Sequence, residues 1–119
     1  MRLFAILVLV LGFAVSTQAN AHAFPNSSTP HAGQMLSASP PQVRITFDGQ
    51  IEPVFSTLIV KNAAGVEVSL GKGEVGASNH ALLQTSLPKA LPPGKYVVYW
   101  SVVAHDGHHT EGHYPFTVQ

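Results

Sequence analysis

The chain contains no cysteine. That absence excludes disulfide staples, so the folded domain must be held by packing alone. It also excludes a blue-copper thiolate centre, a cysteine zinc site and an iron–sulfur cluster. Charge is scarce too, at 10% of residues. Beyond Arg2 the cations are Arg44, Lys61, Lys72, Lys89 and Lys95, against six Asp and Glu. No basic patch or run is available to recruit nucleic acid or an anionic membrane. A long apolar run is missing as well: the stretch Leu3 to Val15 falls short of the ~20 residues that span a bilayer.

What that run does describe is a secretory leader, with basic Arg2, a short apolar core and small residues at its end. Ala19 and Ala21 occupy the −3 and −1 positions for a cut after Ala21, leaving residues 22–119 as one domain. Two other frames compete. A cut after Ala19 would start the chain Asn20-Ala21-His22, and a cut after Ala23 would discard His22. The frame after Ala21 is preferred because both small residues are alanine and the cut stops short of the polar stretch "PNSSTPH".

No segment sustains a helical period. "QVRITF" places Val43, Ile45 and Phe47 on one face and Arg44 and Thr46 on the other, which is a half-buried strand. "TLIVKNAAGVEVSL" reads as a hairpin turning at Asn62 to Gly65. "GKGEVGASN" reads as a glycine-rich loop, and "HALLQTSL" as a further extended segment. "KYVVYWSVV" is the longest apolar strand, and a last strand is expected near "YPFTV". Tyr99 and Trp100 lie in that alternating strand and are assigned to core or sheet packing. About seven short strands with turn signals between them predict an all-β domain, a small Greek-key barrel or sandwich of cupredoxin-like or immunoglobulin-like type.

Histidine is abundant, and four of seven crowd into "HDGHHTEGH". Asp106 and His108 are two apart, so an extended backbone points them to one face, with Gly107 allowing a sharp turn between them. A carboxylate and an imidazole alone are a weak site. A mature N-terminus at His22 changes the weight, because its α-amine and imidazole can chelate one metal. His22, Asp106 and His108 together offer three nitrogens and one oxygen, which suits tetragonal Cu(II). His109 has the opposite parity and is read as solvated. His105 is a candidate partner behind a ligand, and His113 a candidate extra ligand beyond a turn. His31 and His80 are read as bystanders.

The opening "HAFPNSSTPHAGQML", the stretch "PPQVRITFDGQIEPVFSTLIV" and the segment "LPPGKYVVYWSVVAHDGHHTEGHYPFTV" resemble the CopC family of periplasmic copper-resistance proteins. The resemblance covers essentially the whole mature chain. It implies a periplasmic β-domain that binds one Cu(II) through His22, Asp106 and His108, serving copper resistance or homeostasis. It further implies delivery to a CopD-like inner-membrane protein, and a monomer is expected. Two departures stand out. The mature chain has only Met35, which argues against the methionine-rich Cu(I) site of some relatives. Where some relatives place a glutamate near copper, this sequence has Asp48, with Glu52 as the less favoured alternative.

The leading expectation is therefore a copper-binding protein and not an enzyme. The alternatives are a copper-dependent oxidative enzyme of the N-terminal histidine-brace type, and a secreted zinc-binding sandwich.

Overall fold

The computed structural model describes residues 23–119. His22, the leader and all three candidate cleavage frames lie at or before the edge of the described residues. Eight strands run in the order β1 (Pro25–Thr29), β2 (Met35–Leu36), β3 (Gln42–Phe47), β4 (Thr57–Asn62), β5 (Leu70–Val75), β6 (Leu82–Ser86), β7 (Gly94–Val103) and β8 (His109–Val118). A 3₁₀ turn, Pro53–Phe55, stands between β3 and β4.

The strands form two four-stranded sheets, ordered β1-β3-β6-β5 and β2-β8-β7-β4. The chain crosses between them in Greek-key fashion, as the all-β reading expects. The sheets do not join into one cylinder, so the architecture is a sandwich and the barrel alternative is corrected.

Alternation decides which residues fill the space between the sheets. Val43, Ile45 and Phe47 of β3 and Leu83 of β6 meet Leu58 and Val60 of β4, Val98 and Val102 of β7, and Phe116 of β8. Each of these is fully or almost fully buried, and full burial of such a side chain is worth about 1.5–3 kcal/mol. Trp100 lies in this core edge-on to Phe47, with ring centroids 5.5 Å apart. Its space comes from a glycine. Gly112 pairs with Trp100 across β7 and β8, and a Cβ at 112 would lie 2.6 Å from the indole Cζ2. Tyr99 points the other way, packing on the outer sheet face against His113 at 5.7 Å with the Lys61 ammonium 5.2 Å from its ring centre.

Three local readings change. The first part of the glycine-rich stretch, residues 71–75, belongs to strand β5, while 76–79 stay outside the strands as read; Gly71 and Gly73 take φ +82° and +94° at an irregular register. Gly73 is needed for proximity too, since its Cβ would stand 3.0 Å from the Leu58 backbone nitrogen. Second, β8 begins at His109, well before "YPFTV". Third, β1 and β2 are additional strands. The first is a polar, exposed edge strand and the second has only two residues.

Candidate metal centre at the end of the sandwich

Strands β7 and β8 form the longest pairing in the molecule, running from Gly94↔Val118 to Val103↔His109. At its open end the chain reverses through His105, Asp106 and Gly107. The Gly107 amide donates to the Ala104 carbonyl at 2.9 Å, and the Ala104 amide to the His108 carbonyl at 2.8 Å. Gly107 has φ +90°, a left-handed conformation that a side chain disfavours, so the tight reversal depends on glycine.

This reversal brings Asp106 and His108 together. The His108 amide donates to Asp106 Oδ1 at 3.1 Å, and His108 Nδ1 lies 2.6 Å from Asp106 Oδ2. Two cis ligands, each ~2.0 Å from a transition metal, stand roughly 2.8 Å apart. The observed N···O separation of 2.6 Å is close to that spacing, so the two side chains could serve as neighbouring ligands with little movement. Both residues are exposed, so an ion reaches them from solvent.

The N-terminal segment is brought to the same end. Ala23 is fully buried, and its carbonyl accepts the Thr110 hydroxyl at 2.6 Å. Next to it, the Phe24 amide donates to Asp48 Oδ1 at 2.8 Å, and the Asp48 amide donates back to the Phe24 carbonyl at 2.9 Å. Thr110 is two residues beyond His108. Hydrogen bonds thus fasten the chain immediately after position 22 beside the Asp106–His108 turn. His22 itself lies outside the described residues, and among the described residues no group of three His, Asp or Glu is arranged to hold a metal.

The remaining candidates separate clearly. His105 does not bond either donor side chain; its Nδ1 lies 3.1 Å from Glu52 Oε1 and its amide donates to the Gln50 carbonyl at 3.1 Å. It fastens the reversal to the segment after β3. Glu52 is thereby engaged by His105, while Asp48 holds Phe24. His109 starts β8 with Nε2 2.7 Å from Ser101 Oγ. His113 follows no turn: it sits four residues farther along the same strand, on the outer face against Tyr99. At ~3.4 Å per residue that places it roughly 14 Å along the strand from His109, too far to complete the site. His31 and His80 are exposed and lie outside the strands.

Sequence reasoning gave Thr110 no role and read Asp48 only as a candidate carboxylate near copper, not as the acceptor of the Phe24 amide. Their hydrogen bonds go to main-chain atoms far away in sequence, a relationship that local patterning does not carry.

The CopC domain family matches residues 25–119. The chain belongs to the CopC family. That sets it among copper-resistance and copper-transport proteins and not among enzymes. It is 35% identical over 117 residues to the copper transport protein CutJ of Bacillus subtilis, covering 98% of this chain but 21% of that one. This CopC chain thus spans about a fifth of CutJ's length. Protein YobA of Escherichia coli K12 is 30% identical over 99 residues, with 83% of this chain and 80% of that one aligned.

Among solved structures, CopC from Methylosinus trichosporium OB3b superposes with a TM-score of 0.77 at 34% identity, covering 82% of this chain and 94% of that one. PcoC, a methionine-rich copper-resistance protein from Escherichia coli, gives 0.72 at 28% identity, covering 83% and 100%. This chain departs from the description of PcoC: its described residues contain a single methionine, Met35, exposed on β2.

Proposed function

We propose that this CopC chain is a periplasmic copper carrier that holds one Cu(II) with the α-amine and imidazole of His22, the Asp106 carboxylate and the His108 imidazole. It then passes the ion to a membrane protein. The observation that carries the reading is the Asp106–His108 pair, 2.6 Å apart at the end of the sandwich where residues 23 and 24 are anchored. Copper here is cargo. The protein's part is to present donors, of which Asp106 and His108 already stand side by side, and no substrate is transformed.

The donor types support Cu(II) over Zn(II), because three nitrogens and one oxygen suit a tetragonal ion high in the affinity order. Binding displaces protons from an amine and from imidazole, so affinity falls as pH drops through the imidazole range.

The test is chelator competition with Cu(II) and with Zn(II) on exported protein whose first residue has been fixed by intact mass. Tight, copper-selective binding that weakens on acidification and collapses in His22→Ala and His108→Ala is expected. Unchanged Cu(II) binding in His22→Ala would remove the N-terminal chelate from the assignment.

A further inference from the structure

The geometry points to the outer face of the sheet β2-β8-β7-β4 as a contact between two copies of this chain, related by a two-fold axis that lays Lys61 of each copy on Glu111 of the other. The inference does not depend on the carrier role proposed above. It gives a use to a broad surface that the metal centre leaves unexplained.

The two sheets differ in what they show to water. In the sheet β1-β3-β6-β5 the central strands turn Gln42, Arg44, Thr46, Gln84 and Ser86 outward, with Leu82 the one apolar side chain among those positions. The outward positions of β4, β7 and β8 instead carry Ile59, Val97, Tyr99, Val103 and Pro115, each partly exposed. An antiparallel sheet that faces only solvent alternates to polar side chains there. The face is also indented. A groove of about 600 Å³ runs along it, lined by Thr57, Ile59, Tyr99, Ser101, Glu111 and His113.

Register places the charges. Thr57, Ser101 and Glu111 form one row across β4, β7 and β8; Ile59, Tyr99 and His113 form the next, and Lys61, Val97 and Pro115 the third. Glu111 and Lys61 therefore stand at opposite corners with Tyr99 midway. Among the described residues the side-chain ion pairs are His105 with Glu52 and His108 with Asp106, so neither Glu111 nor Lys61 is engaged in one; the Lys61 ammonium rests 5.2 Å from the Tyr99 ring centre. A second copy can be laid face to face about a two-fold axis that passes through Tyr99, perpendicular to the diagonal from Glu111 to Lys61. Each lysine then comes over the other copy's glutamate, and Tyr99 meets Tyr99. With strands ~4.8 Å apart and alternate residues ~6.8 Å apart, the strands of the two copies cross at about 70°, toward the orthogonal class of sheet packing. Ile59 of each copy comes down over the other's groove.

The other titratable groups of the face select the occupant. On the same grid Lys95, opposite Thr117, falls beside β8 of the second copy near Glu111 and His113. Glu67, which bridges Lys61 at the edge of β4, falls between Glu111 and His109. His109 is held by Ser101 Oγ at 2.7 Å, and His113 lies against Tyr99. Arg44, Lys72 and Glu74 belong to the other sheet, and Lys89 precedes β7. Lys61 and Lys95 thus balance Glu67 and Glu111, which gives the face no net pull on a membrane or on a strongly charged protein, whereas a second copy matches its charges. The patch measures about 20 by 25 Å, so two copies bury roughly 1,000 Å², the low end for a specific contact. The dimer is accordingly weak, and the monomer expected from the sequence is its dilute state. The Asp106–His108 turn lies beyond the last row and stays outside the contact.

The test is sedimentation of the exported protein over a range of concentrations at pH 8, where histidine is ordinarily neutral and does not offset Glu111. A dimer with a dissociation constant of roughly 10 µM to 1 mM is expected for a contact of this size. Lys61→Glu and Glu111→Lys should each weaken it roughly tenfold or more, because each reversal sets like charges together at two places. Mixing the two variants should restore it, since each supplies the charges that the other lacks. A wild type that stays monomeric to about 1 mM would overturn the proposal. So would a dimer indifferent to either reversal, or variants that do not recover on mixing. Circular dichroism checks that both variants fold; where one does not, Lys61→Gln or Glu111→Gln replaces it, and a dimer as strong as wild type in that variant would be equally fatal.

Discussion

The hydroxyl of Thr110 donates to the carbonyl of Ala23 across 2.6 Å, joining residues 87 positions apart. Through this one bond the strand that follows the Asp106–His108 turn also fixes the start of the described chain. Thr110→Val keeps the shape and removes the donor. A lost hydrogen bond of this kind is worth about 0.5–1.5 kcal/mol. Cu(II) affinity should fall by up to roughly tenfold, and amide exchange at Ala23 and Phe24 should quicken. Chelator competition and hydrogen exchange measured together check both effects.

Asp48 acts on the same segment from the other side, accepting the Phe24 amide at 2.8 Å. An acceptor is all that bond needs. Asp48→Asn should retain most of the Cu(II) affinity, whereas Asp48→Ala should lose about as much as Thr110→Val, with the copper EPR spectrum unchanged in both. A loss in Asp48→Asn equal to that in Asp48→Ala, with an altered spectrum, would make Asp48 a ligand.

Gly112 leaves room for Trp100, with the added Cβ of alanine falling 2.6 Å from the indole. The indole is rigid and held against Phe47, so the strand must move instead. Gly112→Ala is expected to destabilise the fold by about 1–3 kcal/mol, the usual cost of overpacking. A urea midpoint unchanged from wild type would contradict this packing.

Burial pushes the Tyr114 phenol up to about 12, and the opposing contact with Ser28 does not offset it. The folded protein therefore resists ionisation that the unfolded chain undergoes near pH 10. Stability from this group is complete below pH 10 and is lost as pH rises from there toward 12, a contribution on the order of 2–3 kcal/mol. Urea denaturation at pH 8 and pH 11 should show about half of this loss, roughly 1.4 kcal/mol, in wild type and less in Tyr114→Phe.

The strands with strong alternation were legible from sequence: β3, β6 and β7 fall where Val43, Leu83 and Val98 place the buried face. The strands that sequence did not reveal are held by other means. Strand β1, "PNSST", is an edge strand with little apolar content, and its position comes from pairing with β3. Strand β5 looks like a loop because Gly71 and Gly73 meet a tertiary need, an irregular register against β6 and close passage by Leu58. Asp106 and His108 were legible because two-residue spacing is a local property. The hold on residues 23 and 24 was not: Thr110 reaches Ala23 only once the two sheets have closed, and Asp48 reaches Phe24 only once β1 has paired with β3.

The ten-residue strands β7 and β8, capped by a glycine turn, set the spacing of the donor pair before any ion arrives. On the proposed copper reading, this pair needs no rearrangement to take the ion. Filling it should send no signal into the rest of the sandwich, and hydrogen exchange along β7 and β8 beyond the turn is expected to be the same with and without copper. On the proposed carrier reading, an acceptor then recognises its cargo by touching the ion's own ligands, because the chain's shape elsewhere says nothing about whether it is loaded.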